Sequence, residues 1–386
     1  MDILSFTVPF DRPTPYDPPT AYAAALRRGT PVIRTTTAAG TQAWVVIGAD
    51  AVQQVLSDRR FGINQPGTPV DGESLRCDGE EHARLRRVIS RGLRARTLES
   101  LRSRFDGMAA EFVSEIRRAG PPAELVTGLS RPLTLAMITE LLGVPVSDRA
   151  KFHRWAEATS MSAADAESYA ETWVELFGFL GDLIAAKRVE PEPDLLSDLI
   201  AVCDTGDGQL NDRELVLAAV SLLAGGQLTT ANALSIGVIK LLRAGGLGSL
   251  RDGQAVAVAV EEVLRHQVGI SGEALPRWAL ADVDLGGRCV SKGDMVIVRL
   301  EAANRDPARF DDPDRFDPRR IPNPHLKFGH GPHRCIGAAL ARMVLVAAVT
   351  ALADQLPDLA LTCSPDEIPW TDHPLDSGPA ALPVAW

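Results

Sequence analysis

The chain has 386 residues, 45% of them hydrophobic, and a formal net charge of −10. This much apolar sequence is enough for a large buried core, which we expect to form one domain over residues 1–386. The acidic balance disfavours nucleic acid as a partner, because nucleic-acid binding needs a basic surface. Five cysteines without paired spacing disfavour a disulfide framework. The first ten residues include Asp2 and Pro9, so we expect a soluble, cytoplasmic protein without a signal peptide or membrane anchor.

The N-terminal third contains the first predicted strands. Residues 31–35 and 43–47 are β-rich and are separated by a turn at Ala39-Gly40. Asp50 is placed to cap a short helix over residues 51–57. A loop rich in Gly and Pro follows over residues 61–75, and a loop of this length in a compact protein is usually functional or mobile.

A basic helix is predicted over residues 77–91. His82 and Arg86 lie four residues apart and therefore share one face of it. The helix and the residues after it carry a basic cluster in an otherwise acidic chain: Arg84, Arg87, Arg91, Arg94 and Arg96. For any single arginine of this cluster, a docking surface and an ordinary solvated helix face explain the pattern equally well.

The longest predicted helix runs over residues 212–242. Asn211 as N-cap, with Glu214 three residues later, predicts a capping box. The middle of the helix carries Gly225 and Gly226, and two consecutive glycines are costly inside a helix. The pair therefore indicates either a close approach of another group or a local bulge.

One cysteine has surroundings unlike those of the other four. Cys335 lies at the end of a loop with Gly and Pro, and a long apolar helix is predicted directly after it. The N–H groups and partial positive charge of a helix N-terminus favour a thiolate there. Gly337 leaves room for a large flat group beside the backbone. A thiolate beneath a flat group is typical of an axial haem ligand.

The loop reads Phe328-Gly329-His330-Gly331-Pro332-His333-Arg334-Cys335-Ile336-Gly337. It matches every fixed position of the pattern Phe-Gly-x-Gly-x-His-x-Cys-x-Gly and so resembles the haem-binding loop of the cytochrome P-450 family. The resemblance covers nearly the whole chain, from about Pro9 onwards, and is closest to soluble bacterial members. It implies a mainly α-helical fold with a smaller β region near the N-terminus and around residues 275–300. Haem b would lie between the helix of Thr229 and the helix after Cys335.

The resemblance also implies which residues bind the haem. Cys335 would be the metal ligand, and Phe328 would pack beside its sulfur. The cofactor-binding residues implied are His82, Arg86, Arg277, Phe328, Gly329, His333, Cys335 and Gly337. Four of these, His82, Arg86, Arg277 and His333, would neutralise the haem propionates.

The segment Gly225-Gly226-Gln227-Leu228-Thr229-Thr230 resembles the oxygen-activating helix of the family. The glycines would open the helix over the iron, and Thr229 would hydrogen-bond dioxygen and relay protons. Leu228 stands where the family has an acid, so a carboxylate cannot deliver protons from this position. Water, Gln227 or a substrate hydroxyl would have to substitute, or the reaction would need less protonation. The structural alternative for Thr229 is a hydroxyl bonded to its own helix backbone.

An ion pair is predicted on the helix over residues 255–266. Glu262 and Arg265 lie three residues apart and match the family's Glu-x-x-Arg motif. A carboxylate and a guanidinium in an apolar helix cost desolvation energy unless they are fully paired. The resemblance implies a third member, Arg315, in a later loop. We predict that these three residues are structural and hold the loop that presents Cys335.

The implied function is oxidation of a small organic substrate by dioxygen, through hydroxylation or epoxidation, in specialised natural-product metabolism. The chain has no Gly-rich phosphate loop followed by Lys and Ser or Thr. Electrons would therefore come from a ferredoxin and a ferredoxin reductase, with the basic cluster as the docking surface. The region over residues 153–185 would form lid helices, the stretch Leu375–Trp386 would reach back into the pocket, and the protein would be a monomer.

Three alternatives remain open from the sequence. The enzyme could use peroxide or perform oxidative coupling, an alternative suggested by the absence of an acid at Leu228. The substrate could arrive tethered to a carrier protein that docks on the lid region. The protein could also be a haem-binding sensor or electron carrier without catalysis.

Overall fold

The computed structural model describes residues 6–8, 14–37, 39–69, 72–93, 95–159, 166–205, 210–250, 252–268, 275–371 and 376–386. Helices dominate this part of the chain. They are α1 (Thr20–Arg27), α2 (Ala49–Ser57), α3 (Gly79–Gly92), α4 (Ala95–Ala119), α5 (Arg131–Leu141), α6 (Arg149–Thr159), α7 (Ala166–Val189), α8 (Leu195–Thr205), α9 (Asp212–Arg243), α10 (Gly253–His266), α11 (Leu300–Ala303) and α12 (Ala338–Gln355).

The strands are short and form three sheets. They are β1 (Phe6–Val8), β2 (Val32–Thr37), β3 (Gln42–Val46), β4 (Phe61–Gly62), β5 (Ala123–Glu124), β6 (Arg277–Ala279), β7 (Val283–Leu285), β8 (Arg288–Val290), β9 (Met295–Val298), β10 (Ala360–Leu361) and β11 (Pro383–Ala385). The largest sheet has the order β1-β2-β3-β9-β6-β4. The predicted strand pair is confirmed, because β2 and β3 run antiparallel with Ile33 opposite Val45. The mainly α-helical fold with a smaller β region is also confirmed.

The predicted cap of α2 is wrong. The helix begins at Ala49, with Gly48 as its N-cap residue and without a side-chain capping bond. Asp50 lies inside the first turn, where its charge still complements the positive end of the helix. The N–H of Ala49 donates instead to Oδ2 of Asp306, at 2.8 Å. The cap is therefore supplied by a distant loop that the local sequence does not reveal.

The long central helix α9 forms as predicted, including its capping box. Oδ1 of Asn211 accepts from the N–H of Glu214 at 2.9 Å, and a Glu214 carboxylate oxygen accepts from the N–H of Asn211 at 2.9 Å. By length and composition, α9 and α12 are both apolar enough to cross a membrane. In each, 56% of the most apolar window is buried inside the protein, and the helices contact one another in the main core. Core packing therefore accounts for their apolar composition.

A cluster of basic groups is buried at the C-terminal end of α9. Nδ1 of His266 lies 2.9 Å from Nζ of Lys240 and 3.0 Å from a guanidinium nitrogen of Arg305, while its Nε2 lies 2.8 Å from the Asp314 carbonyl oxygen. This arrangement fits a neutral imidazole that accepts at Nδ1 and donates at Nε2. Burial, together with the charge of Arg305, lowers the pKa of Lys240 to about 7. The same two causes lower the pKa of His266 far below its usual range.

This cluster predicts a pH dependence of stability. Between pH 7 and the usual lysine pKa, the unfolded chain binds a proton at Lys240 that the folded protein does not bind. The free energy of unfolding should therefore rise with pH, by roughly 2 kcal/mol from pH 7 to pH 9. Lys240→Met should remove this slope, since Arg305 still satisfies Nδ1 of His266. Guanidinium denaturation of both proteins at several pH values measures it, and an unchanged slope in the variant would contradict the assignment.

Candidate active site

The loop before α12 is built by short-range backbone bonds. The N–H of Cys335 donates to the carbonyl of Phe328 at 2.7 Å, and the N–H of Gly329 donates to that of Leu326 at 2.8 Å. Gly331 has a φ of +70°, and a Cβ at this position would collide with the carbonyl oxygen of Leu56 at the end of α2. Only glycine satisfies both conditions. The loop is therefore seated against α2 and aims Cys335 away from it.

Cys335 borders a cavity of about 200 Å³ between α9 and α12. Gly225, Gly226, Thr229 and Thr230 form part of the α9 wall. The opposite wall is formed by the loop and α12: Phe328, Cys335, Ile336, Gly337, Leu340, Ala341, Val344 and Leu345. A Cβ at Gly225 would meet no atom within 4 Å, and neither would one at Gly337. The two glycines thus leave open space on opposite walls of the cavity.

Two opposing effects act on the pKa of the Cys335 thiol. Burial raises the pKa of the Cys335 thiol above its ordinary value. The N–H of Gly337 and the charges of Arg86 and Arg334 act in the opposite direction but do not outweigh burial. The helix-terminus effect is therefore present but smaller than the cost of desolvation. Coordination to a metal ion would remove the proton, since the thiolate is the ligand form.

The four predicted propionate-binding residues line one recess beside the cavity. They are His82, Arg86, Arg277 and His333, which come from α3, β6 and the Cys335 loop. The rings of His82 and His333 lie 3.9 Å apart between centroids. The guanidinium of Arg86 donates to the carbonyl of Arg334, which ties α3 to the residue before Cys335.

The recess is electrostatically suited to an anion. Burial and the charge of His333 lower the pKa of His82 to about 4, so His82 by itself is neutral at pH 7. Burial also lowers the pKa of Arg277, whose Nη1 donates to the carbonyls of Leu275 and Pro276 at 3.2 Å. Three acids also line the recess, Asp58, Asp78 and Glu80, and Oδ1 of Asp78 lies 2.8 Å from Nε2 of His333. Arginine remains charged under these conditions, so a carboxylate in the recess would compensate positive charge that has lost its water.

Asp78 was not singled out in the sequence. Burial acts to raise its pKa, but hydrogen bonds from His333 and from the N–H of Ile63 hold the pKa below its ordinary value. Asp78 lies directly before α3 and two residues from Glu80, a position that in the sequence indicates only the start of a helix.

On α9, the structure corrects the prediction of an opened helix. Residues Asp212–Arg243 form one continuous α-helix without a bulge. A Cβ at Gly226 would lie 3.2 Å from Cδ1 of Ile138 on α5, so close approach explains this glycine. Thr229 borders the cavity, but its hydroxyl donates to the carbonyl of Gly225 at 2.6 Å. Gln227 is only 5% exposed and is absent from the described cavity walls, which argues against a direct part in proton delivery.

The predicted ion pair on α10 is confirmed, but its predicted third member is wrong. Nε of Arg265 lies 2.7 Å from Oε2 of Glu262, and both side chains are fully buried. Nε of Arg320 lies 3.4 Å from Oε1 of Glu262. Arg315 contributes only its carbonyl, which accepts from Arg265 at 3.0 Å, while its side chain is 68% exposed and lies 3.9 Å from Asp317. Backbone geometry places the Arg315 side chain outside the network.

A second network, which the sequence did not reveal, holds Phe328. The guanidinium of Arg342 on α12 lies 4.5 Å from the centroid of the Phe328 ring. Nε of Arg342 also bonds to Oε1 of Glu261 at 2.6 Å, and Nε2 of His325 lies 3.0 Å from Oε2 of the same residue. Although burial opposes it, these partners lower the pKa of Glu261 to about 2. Glu261 and Glu262 are adjacent, so neighbouring carboxylates of α10 support the two ends of the loop.

The lid region and the C-terminal stretch differ in their relation to the cavity. Helices α6 and α7 pack on one another through aromatic residues, with 5.2 Å between the ring centroids of Trp155 and Phe179. Of the described residues, none from α6, α7 or the loop over residues 61–75 lines the cavity. Asp376 does line it, as expected for a C-terminal stretch that reaches inward. Leu375, Arg94 and the side chain of Arg96 lie outside the described part of the molecule.

The residues present fit a haem. Besides the thioether of Met137, the cavity offers the thiol of Cys335, and Gly225 and Gly337 leave open space for a flat group. The adjoining recess offers Arg86, Arg277, His82 and His333 for the propionates. Within the described ranges there is no group of three or more His, Cys, Asp or Glu side chains placed to hold a metal ion, so Cys335 is the site's candidate ligand.

Comparison with known proteins agrees with this geometry. The family model for cytochrome P-450 matches residues 255–355. The chain is 37% identical to nocardicin C N-oxygenase of Nocardia uniformis subsp. tsuyamanensis, over 98% of both chains. It is 38% identical to mycinamicin IV hydroxylase/epoxidase of Micromonospora griseorubida, over 94% of both chains.

The fold agrees equally well. The solved structure of the LnmA cytochrome P-450 hydroxylase, from the leinamycin biosynthetic pathway of Streptomyces atroolivaceus, superposes with a TM-score of 0.89. The two chains share 36% identity, and the match covers 98% of this chain and 100% of that one. With full-length relatives well above 30% identity, the chain belongs to the cytochrome P-450 family of haem-containing monooxygenases.

Proposed function

We propose that this protein hydroxylates or epoxidises a small organic intermediate of natural-product metabolism. The observation that carries the proposal is the thiol of Cys335, which opens into a largely apolar cavity between α9 and α12. A largely apolar wall favours a hydrophobic substrate. The printed activities of the relatives, an N-oxygenase and a hydroxylase/epoxidase, support the same class of reaction.

The roles of the chain's own residues follow from their positions. Cys335 would bind the iron of haem b, and Arg86 and Arg277 would hold the propionates, with His82 and His333 as hydrogen-bonding partners. Bound haem would supply the oxidising chemistry, to which a thiolate ligand contributes electron density. Phe328, held by Arg342, would shield the sulfur from solvent on the side of the loop. Shielding matters because hydrogen bonds and solvent at the sulfur change the redox potential of such a site.

Thr229 would act on the cavity side of α9. Its hydroxyl donates to the Gly225 carbonyl at 2.6 Å, and a threonine hydroxyl also accepts through its lone pairs. Rotation about χ1 would turn its proton towards the cavity. The hydroxyl would then hold a proton at Oγ1 beside the substrate.

Electrons would come from a ferredoxin, reduced by a ferredoxin reductase, in the cytoplasm. Arg87 and Arg91 are exposed on α3, and Arg334 is exposed on the Cys335 loop. A basic surface steers an acidic partner to the protein. Arg84, which the sequence grouped with this cluster, bonds to Glu81 and Glu214 and is therefore committed to an internal contact. We propose that the enzyme acts as a monomer.

A peroxide-driven reaction is the second candidate, and Leu228 is the observation that favours it. Peroxide brings both oxygen atoms already reduced, so it lowers the demand for protons. The two candidates differ in their co-substrate. Product formation with ferredoxin, reductase and dioxygen, at nearly one product per two electrons, supports the monooxygenase. Product formation with peroxide alone supports the second candidate.

Optical titration of the purified ferric haem protein tests the proposed substrate class. Candidate compounds, both free and loaded on a carrier protein, are added while the Soret band is followed. We expect a low-spin to high-spin shift with a free, largely apolar compound, because the cavity that Cys335 faces is mostly apolar. A shift only with the loaded carrier would contradict a diffusible substrate. The absence of a shift with every compound would favour a sensor or electron carrier.

A further inference from the structure

Two charged side chains border the Cys335 cavity among the described residues, Lys327 and Asp376. Asp376 is only 2% exposed, so its carboxylate has left bulk water. The hydroxyls around the cavity bond to their own helices: Thr134 to Ser130, Ser221 to Leu217, and Thr229 to Gly225. The described walls therefore present an acid only at Asp376.

The position of Asp376 is set by Asn232 on α9. Nδ2 of Asn232 lies 3.2 Å from Oδ2 of Asp376 and 3.2 Å from its carbonyl oxygen. Gly378 allows these contacts, because a Cβ at that position would collide with the Asn232 side chain. The N–H of Thr371 donates to the carbonyl of Gly378 at 2.9 Å and closes the backbone around the site. These contacts hold the C-terminal segment against α9.

The same contacts place the carboxylate near Thr229. Thr229 and Asn232 lie three residues apart on α9 and so share a helix face. Thr229 and Asp376 line the same cavity, and Asn232 bonds directly to Asp376. Leu228, the residue before Thr229, has no proton to give. A carboxylate from a different part of the chain thus lines the same cavity as the threonine and bonds to the residue three positions after it.

We propose that Asp376, seated by Asn232, relays protons into the cavity beside Thr229 and replaces the acid that α9 lacks at Leu228. The inference rests on the proposed monooxygenase function. In each turnover, one substrate, one dioxygen, two electrons and two protons give one oxygenated product and one water. For each of the two protons, the carboxylate of Asp376 takes a proton from solvent and passes it towards Oγ1 of Thr229, so it ends the cycle unchanged.

The charges around Asp376 favour this role over recognition of a cationic substrate. Burial lowers the pKa of Lys327, while the charges of Asp376 and Glu301 oppose that change. Nζ of Lys327 also donates to the carbonyl of Val268 at 3.4 Å. The charge of Asp376 therefore already acts on a lysine of the protein. A substrate ammonium would have to compete with Lys327 for the carboxylate of Asp376. Proton transfer by Asp376 requires no such competition.

Asp376→Asn tests the proposal, with Asp358→Asn as the matched control at an exposed carboxyl outside the cavity. The amide keeps the shape and the contact to α9 but cannot release a proton. We expect kcat with ferredoxin and dioxygen to fall about a hundredfold, with a larger solvent isotope effect. The Kd for substrate, measured from the Soret shift, should change less than about twofold, because Asp376 does not bind a charged group of the substrate.

A rescue experiment separates proton delivery from structure. Leu228→Glu places an acid on α9, so the double variant Asp376→Asn with Leu228→Glu should recover at least about a tenth of wild-type kcat. Leu228→Glu alone should change kcat less than about threefold, because Asp376 already delivers protons to the cavity. If Asp376→Asn does not incorporate haem, Asn232→Ser, which loosens the same carboxylate, should lower kcat in the same direction.

A second readout does not depend on turnover. In the ferrous carbon monoxide complex, the C–O stretching frequency reports the local electric field, and Asp376→Asn should shift it while Asp358→Asn does not. An unchanged kcat, or a weakened substrate Kd without rescue by Leu228→Glu, would overturn the proposal. If the wild-type protein lacks a thiolate-type carbon monoxide spectrum, the proposed function itself fails, and the two failures are therefore distinct.

Discussion

Cys335→Ser is expected to abolish the thiolate-type Soret band of the ferrous carbon monoxide complex and to reduce substrate oxidation to background. Burial already raises the pKa of the Cys335 thiol. A serine hydroxyl is a far weaker acid, so it would not become the anionic ligand at neutral pH. The loss of a thiolate also removes the electron density that supports cleavage of the O–O bond. Absorbance spectra and product assays on the two proteins measure both effects.

Cys289→Ser is the matched control, because Cys289 is an exposed cysteine on β8. It should keep the spectrum and the activity of the wild type. Retention of the thiolate-type band in Cys335→Ser, or its loss in the control, would remove Cys335 as the metal ligand. A variant that binds haem but shows a shifted carbon monoxide band would be the expected result of a changed ligand.

Glu262→Ala should destabilise the protein by about 3–5 kcal/mol. The variant leaves the fully buried Arg265 without its carboxylate and removes the acceptor for the N–H of Asp317, which lies 2.8 Å from Oε1 of Glu262. It also removes the acceptor for Nδ2 of Asn323, at 3.0 Å from Oε2. Because these residues belong to the segment that leads to Cys335, haem content should fall together with stability. Denaturation midpoints and haem-to-protein ratios measure the two effects.

Arg320→Ala and Arg315→Ala form a matched pair that tests the corrected network. Arg320 lies 3.4 Å from Glu262, and its side chain also donates to the carbonyl of Asp311 at 2.8 Å. Its removal should cost about 1–3 kcal/mol. Removal of the exposed Arg315 side chain should lower the free energy of unfolding by less than about 0.5 kcal/mol. A larger cost for Arg315→Ala than for Arg320→Ala would contradict the structure.

Features with a local cause could be predicted from the sequence. The capping box of Asn211 and Glu214 depends on residues three apart, and so does the ion pair of Glu262 and Arg265. The Cys335 loop was recognisable because its glycines, histidine and cysteine have fixed spacings within ten residues. For the same reason, the family is recognisable from the sequence, and the relatives confirm it.

Features decided by distant contacts were missed or assigned wrongly. Arg315 and Arg320 lie in one irregular loop, where no periodicity tells which guanidinium points inward. Asp50 was a reasonable cap by residue type, but a bond from the N–H of Ala49 to Asp306 took that role. Asp376 lies in a Pro- and Gly-containing stretch far along the chain from Thr229, and nothing in its local sequence predicts their proximity.

The sequence by itself determined the family, the predicted metal ligand, and the place where α9 lacks an acid. Only the tertiary structure decided that the surroundings of Cys335 raise its pKa and that a carboxylate lies against α9. The physical reason is the same in both cases. Desolvation and charge compensation depend on every group packed around a site, and most of those groups come from other parts of the chain.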